Sequence, residues 1–137
     1  MTFSFHRIPV GIDNCFLLRG ERTVFVDGGA WGGLSSFQNG LKKLSVDPKE
    51  IELIILTHGH WDHITCLADI QKLTGAKIAV HKKDQFMVET GQPPFPNGTT
   101  PYGRMMAWSA KRILNPHLPP LKVDTVISDA GMSLKEY

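Results

Sequence analysis

Residues 51–63 read Ile-Glu-Leu-Ile-Ile-Leu-Thr-His-Gly-His-Trp-Asp-His, so an apolar run leads directly into three of the six histidines in the chain. Ile51 to Leu56 is apolar almost throughout, as expected of a strand buried on both faces. Apolar residues then recur at helical spacing at Ile64, Leu67, Ala68 and Leu73, and Gly75 stands where helices commonly stop. Lys77 to His81 reads as the next strand. Strand, helix and strand in this order form a βαβ unit, so a parallel arrangement is expected in this part of the sheet.

The segments before it extend the same sheet. Phe3 to Ile8 reads as a strand broken by Pro9-Val10-Gly11. Asn14 to Leu18 and Thr23 to Val26 read as a hairpin joined through Arg19-Gly20-Glu21-Arg22, giving an antiparallel meander. Leu34, Phe37, Leu41 and Leu44 mark the apolar stripe of a helix that covers the sheet. The glycine-rich stretch Gly28 to Gly33 lacks the third glycine of a dinucleotide fingerprint, because Ala30 occupies that position, and no Lys-Ser or Lys-Thr follows to make a phosphate loop. It reads as a tight connection. Asp27, before it, either caps the turn or supports a site from the strand end.

From Gln92 the prolines 93, 94, 96 and 101 predict a long loop. Met105 to Leu114 predicts a helix whose Met and Trp residues pack into a core or a lid, and Thr125 to Ile127 predicts a last strand. The net charge of +2 is too small to favour nucleic acid or an anionic membrane, and the Lys pairs 42–43 and 82–83 read as solvated surface. No run approaches the roughly 20 apolar residues of a spanning helix. Met1 to Arg7 is not a signal peptide. Two cysteines without a CxxC pattern are few for a small secreted domain, so a soluble cytoplasmic protein is expected.

The chemistry lies in the histidine cluster. On extended backbone His58 and His60 share a face, so two imidazoles converge on one cation. Asp62 continues the alternation and His63 turns away as the helix begins. Nitrogen and carboxylate donors suit zinc, and also iron or manganese. Four such residues within six positions, with neighbours pointing apart, fit two adjacent metal sites better than one. A metal there lowers the pKa of bound water to about 7, which implies hydrolysis by metal-bound hydroxide.

His58-Gly59-His60-Trp61-Asp62-His63 resembles the HxHxDH motif of the metallo-β-lactamase superfamily. The strand end Asp27-Gly28-Gly29, the approach Ile54 to Thr57 and the segment Gly75 to Ile78 resemble its glyoxalase II-like branch. The resemblance runs from about the second strand to His81. It implies an α/β fold, here a partial αββα sandwich with an N-terminal mixed sheet and flanking helices. It implies two zinc ions in the complete fold, with iron or manganese as alternatives. His58 and His60 would hold the first and Asp62 and His63 the second, with Asp62 also orienting the bridging hydroxide. Asp27 would support the site from behind the ligands.

The family's later Gly-His-Thr segment, bridging aspartate and final histidine match nothing in the sequence. The expectation is therefore that residues 1–137 are the N-terminal part of the domain. The remaining half would come from the same gene, another chain or a second copy of this one. The substrate would be a small ester, thioester or lactone, walled by the Pro-rich loop and the helix after it. Ile64-Thr65 after the motif also resembles mononuclear iron persulfide dioxygenases, and a non-catalytic half-domain that binds metal or a partner is the third reading. Cys66 reads as a small buried hydrophobe, with an extra soft ligand or redox-sensitive thiol as the alternative. His81 reads as structural or surface, and His6, Cys15 and His117 match nothing functional.

Overall fold

The computed structural model describes residues 3–94, 97–114 and 118–132. His117 lies outside them, as do Pro96 and Pro116. Among the described residues six strands lie side by side in chain order in one sheet: β1 (Ser4–Val10), β2 (Asp13–Arg19), β3 (Thr23–Val26), β4 (Ile51–Ile55), β5 (Lys77–His81) and β6 (Thr125–Ile127). The first three pair antiparallel and β3 to β6 pair parallel, so both the meander and the βαβ unit are present. The helices are α1 (Leu34–Lys43), α2 (Trp61–Ile64), α3 (Leu67–Thr74), α4 (Gln85–Thr90) and α5 (Pro101–Leu114). None of the described helices is long and apolar enough to cross a membrane.

One face of the sheet is covered. Ile8, Leu17, Phe25, Ile54 and Ile78 pack with Phe37 and Leu41 of α1 and with Leu67 and Ile70 of α3. Phe25 meets Phe37 edge-on at 4.9 Å between ring centroids. Each of these large side chains contributes about 1.5–3 kcal/mol by leaving water, so this layer fixes how the helices sit on the sheet. On the opposite face the register aligns Phe5, Leu18, Val24 and Leu53 in one row, and Phe16, Val26, Ile55 and Ala79 in the next. Phe5 stacks on Phe16 at 5.1 Å yet stays 57% exposed. Leu18, Val24, Val26 and Ile55 are only half-buried, so this second face is apolar and partly open.

Four local readings of the sequence need correction. Pro9 and Val10 do not end β1; the strand runs through them and turns at Gly11. Among the described residues β1 is an edge strand, and a proline is tolerated on the side of an edge strand that faces away from the sheet. The helix after the motif is two helices. Thr65 Oγ1 donates to the Trp61 carbonyl, and the Cys66 N–H leaves the helical ladder for the Gly29 carbonyl at 3.2 Å. That cross-link ends α2 and restarts the chain as α3, which stops at Gly75 in the left-handed conformation (φ 76°). The third correction is α4, which the sequence reading lacked. The fourth concerns α5, which starts at Pro101 and leaves Met105, Met106 and Trp108 exposed rather than packed in a core.

Candidate metal centre

The motif sits where three strand ends meet. Parallel pairing sets the C-terminal ends of β3 and β4 side by side, and β2, antiparallel to β3, begins at that same edge. Crevices beyond the carboxyl ends of parallel strands are the usual sites in such sheets. After β4 the Leu56 N–H still bonds to the Ala79 carbonyl at 3.0 Å, so the backbone stays anchored up to the first motif residue.

Asp27 ties the two strand ends together. Its N–H donates to the Ile55 carbonyl at 2.9 Å. Its backbone is left-handed (φ 68°), a conformation aspartate tolerates better than most residues. The buried carboxylate then accepts from the Thr57 N–H at 2.8 Å and from Thr57 Oγ1 at 2.8 and 3.0 Å. Thr57 Oγ1 also lies 2.9 Å from His58 Nδ1. The hydroxyl has one proton, and it goes to Asp27. Oγ1 therefore accepts from the His58 Nδ1–H, which leaves the Nε2 lone pair of His58 free to bind a cation.

The predicted residues converge. The His58 ring lies 4.6 Å from that of His60 and 4.1 Å from that of His63, between centroids. His60 precedes the first turn of α2 and its carbonyl accepts from the His63 N–H at 3.0 Å, so the short helix fixes the spacing of the two. His63 Nδ1 is 3.2 Å from Asp27 Oδ2, and Nε2 is 3.8 Å from Asp62 Oδ2. The Nδ1 contact is short but not aligned as a hydrogen bond, and the atom is otherwise buried without a partner. It is therefore an electrostatic contact between a carboxylate and the ring edge. The Gly28 N–H bonds to the His63 carbonyl at 2.7 Å, and a Cβ on Gly28 would stand 2.7 Å from Leu67 Cβ. Only glycine permits this approach of the β3 end to α2 and α3.

Two supports were missed in the sequence. Asp84, before α4, accepts from the Gly59 N–H at 3.2 Å and holds the middle of the motif loop. Nothing in its surroundings in the sequence marks it. Asp13, at the start of β2, places a carboxylate oxygen in a group with Asp62 and His63 whose atoms all lie within 4.8 Å of one another. Burial raises its pKa above the usual carboxylate value, and Asp62 and Asp27 add to this while His63 opposes it. A signal for Asp13 did exist: in an antiparallel meander the first residue of β2 faces the end of β3.

The remaining candidates lie elsewhere. His81 Nε2 is 3.1 Å from Asp129 Oδ1, and Asp129, held below its usual pKa chiefly by Lys82, pairs with both. His6 Nε2 contacts Ser4 Oγ on β1. Cys66 is buried between α2 and α3, and burial pushes its thiol up to about 11. Trp31 stacks on Trp61 at 5.2 Å beside the motif. The donor set of imidazoles and carboxylates, with buried unpartnered atoms on His63 and Asp13, fits a divalent cation such as zinc, iron or manganese.

A sequence profile described as the metallo-β-lactamase superfamily matches residues 8–132. The chain belongs to that superfamily. Curated relatives include a metal-dependent hydrolase of Thermococcus kodakarensis, 37% identical over 65 residues, which are 46% of this chain and 25% of that protein. Another, of Thermoplasma volcanium, is 30% identical over 78 residues, 56% of this chain and 32% of that one. A metallo-β-lactamase from Novosphingobium pentaromativorans superposes with a TM-score of 0.69 at 25% identity, covering 88% of this chain and 41% of its own. One from Legionella gormanii superposes at 0.73 and 16% identity, covering 95% and 46%, a likeness of fold alone. The superfamily architecture, a mixed sheet with flanking helices, is thus present here. The chain spans less than half the length of these relatives.

Proposed function

We propose that this chain carries the metal-holding part of a metal-dependent hydrolase acting on a small ester, thioester or lactone. The observation that carries the reading is the gathering of the motif histidines at the ends of β3 and β4, with the His58 ring 4.6 Å from that of His60 and 4.1 Å from that of His63. The names of the Thermococcus and Thermoplasma relatives support it.

In this reading His58 and His60 hold one zinc ion and Asp62 and His63 a second, with iron or manganese as the alternative occupants. When bound, such ions supply a nucleophilic water at neutral pH and polarise the substrate carbonyl. The chain's own residues do the positioning. Asp27 and Thr57 orient the His58 ring, and Asp27 steadies the edge of His63. Asp62 would also orient the attacking water. Trp31 and Trp61 form an apolar wall beside the motif.

We further propose that residues 1–137 act as the N-terminal part of the domain. The partly open sheet face around Phe5, Phe16 and Val26 supports this, because the sandwich needs an apolar layer there. The remainder would come from the same gene, another chain or a second copy of this one. A cytoplasmic setting is in keeping with Cys15 and Cys66, which are both unpaired.

The test is turnover of aryl esters and thioesters by the chain joined to its complementing half, loaded with zinc. Wild-type protein should turn over, and His60→Ala should lose at least a hundredfold while keeping its circular dichroism. Unchanged turnover in His60→Ala would refute the reading. Oxygen uptake on a persulfide by the iron-loaded protein, with no ester hydrolysis, would replace it with the dioxygenase.

A further inference from the structure

We infer that Asp13 is a further donor of this metal centre, facing the cation that Asp62 and His63 hold. The inference rests on the metal-binding reading above and adds a residue that the HxHxDH motif does not contain. Four observations carry it.

The first is reach. Phe16 of β2 pairs with Val26 of β3, so continuing that register three residues places Asp13 beyond the end of β3, beside the motif. The second is proximity. One oxygen of Asp13, one of Asp62 and one ring nitrogen of His63 all lie within 4.8 Å of one another. Donors about 2.0–2.2 Å from a tetrahedral cation stand about 3.4 Å apart, so side-chain adjustments of an ångström or so bring the three together.

The third is an unmet demand. Asp13 Oδ2 is buried and has no hydrogen-bond partner. A buried carboxylate oxygen without a donor is costly unless a cation answers it. The fourth is crowding of like charge. Asp13, Asp27 and Asp62 stand around one histidine ring, with Asp27 Oδ2 3.2 Å from His63 Nδ1 and Asp62 Oδ2 3.8 Å from its Nε2. A divalent cation relieves that crowding, whereas a neutral site does not. The turn before Asp13 is held in place as well: the Ala30 N–H donates to the Val10 carbonyl at 3.1 Å, and Gly11 is left-handed (φ 69°), with Ala30 close against it.

The experiment is zinc binding by the 137-residue chain, measured by competition with a chromophoric chelator, together with the visible spectrum of its cobalt(II) form. Asp13→Asn should weaken zinc at least tenfold and change the cobalt spectrum, in the range expected when a group at a metal site is removed. Asp13→Glu should recover part of the affinity, and Asp129→Asn, remote from the site, should bind as wild type does. Asp13→Asn binding within twofold of wild type, with the same cobalt spectrum, overturns the inference.

A measurement on the wild-type chain decides the matter even if the variant does not fold. Zinc should shift the side-chain carboxyl carbon resonance of Asp13 and leave that of Asp129 in place. No shift at Asp13 overturns the inference. Loss of zinc in His60→Ala with retention in Asp13→Asn removes Asp13 alone, while no zinc uptake by the wild-type chain removes the whole metal reading with it.

Discussion

The Asp27 carboxylate, just past the end of β3, reaches both the segment after β4 and helix α2: Oδ1 accepts the Thr57 N–H at 2.8 Å, and Oδ2 lies 3.2 Å from His63 Nδ1. The residue holds a left-handed backbone (φ 68°) while it does so. Asp27→Ala should therefore lose about 3 kcal/mol in urea unfolding, from lost charge-assisted hydrogen bonds and a residue poorly suited to that backbone. Asp27→Asn keeps an acceptor and the backbone tolerance, and should lose less than half as much. Equal losses in the two variants would show that the carboxylate is not what ties β3 to the motif.

Thr57 sets the tautomer of His58. Its one hydroxyl proton goes to Asp27, so His58 donates from Nδ1 and keeps Nε2 open. Thr57→Val retains the shape and removes the relay. Zinc affinity should fall about tenfold, and stability by about 1–2 kcal/mol from the hydrogen bond lost to the buried Asp27 carboxylate. Competition with a chelator measures it, and unchanged affinity would mean that the ring is oriented by other contacts.

Gly28 is required by space. A Cβ there would meet Leu67 Cα at 2.9 Å and the His63 carbonyl at 3.0 Å, both on helices that cannot retreat without moving the motif. Gly28→Ala should cost about 1–3 kcal/mol, as overpacking does, and should weaken metal binding as well. Thermal unfolding with and without zinc separates the two effects.

The sheet and the centre of the site were legible for different reasons. The run Ile51 to Leu56 and the alternation in Thr23 to Val26 announce strands because burial dictates their residue types, and the βαβ spacing dictates parallel pairing. His58, His60, Asp62 and His63 were legible because so many donors in so short a stretch have few other uses. Asp84 was not singled out, because it joins the motif across the fold at a sequence distance where spacing carries no information, and Asp13 could be placed only by the pairing of β2 with β3, not by its spacing from the motif. The break between α2 and α3 was hidden for the same reason, since it depends on Cys66 reaching Gly29. α5 misled because its apolar spacing suggests a covered helix, and in this chain Met105 and Trp108 remain exposed.

Both thiols should be inert in the folded chain. Cys66 is raised to about 11 from its ordinary 9.0 and Cys15 is raised further, burial being the main cause in each. At pH 8 neither should react with Ellman's reagent until the protein is unfolded. The raised values also set a sign. Above pH 9 the unfolded chain releases thiol protons that the folded chain retains, so stability falls between pH 9 and 11. The slope approaches about 1.4 kcal/mol per pH unit for each thiol. Cys66→Ala should lessen that slope, and urea titrations across the range measure it.

The open sheet face should make the chain associate with itself. Phe5 and Phe16 stack on it, and Phe5 is largely exposed. Sedimentation at increasing concentration should show dimers or larger species and binding of an apolar dye. The double variant Phe5→Ser, Phe16→Ser should shift the chain towards monomer.

The most direct test of the central claim is anomalous diffraction at the zinc edge from crystals of the chain grown with zinc. The account predicts a peak about 2.0–2.2 Å from ring nitrogens of His58 and His60, and a second beside Asp62 and His63. Zinc found only at His6 or His81, with the motif histidines bare, would contradict it.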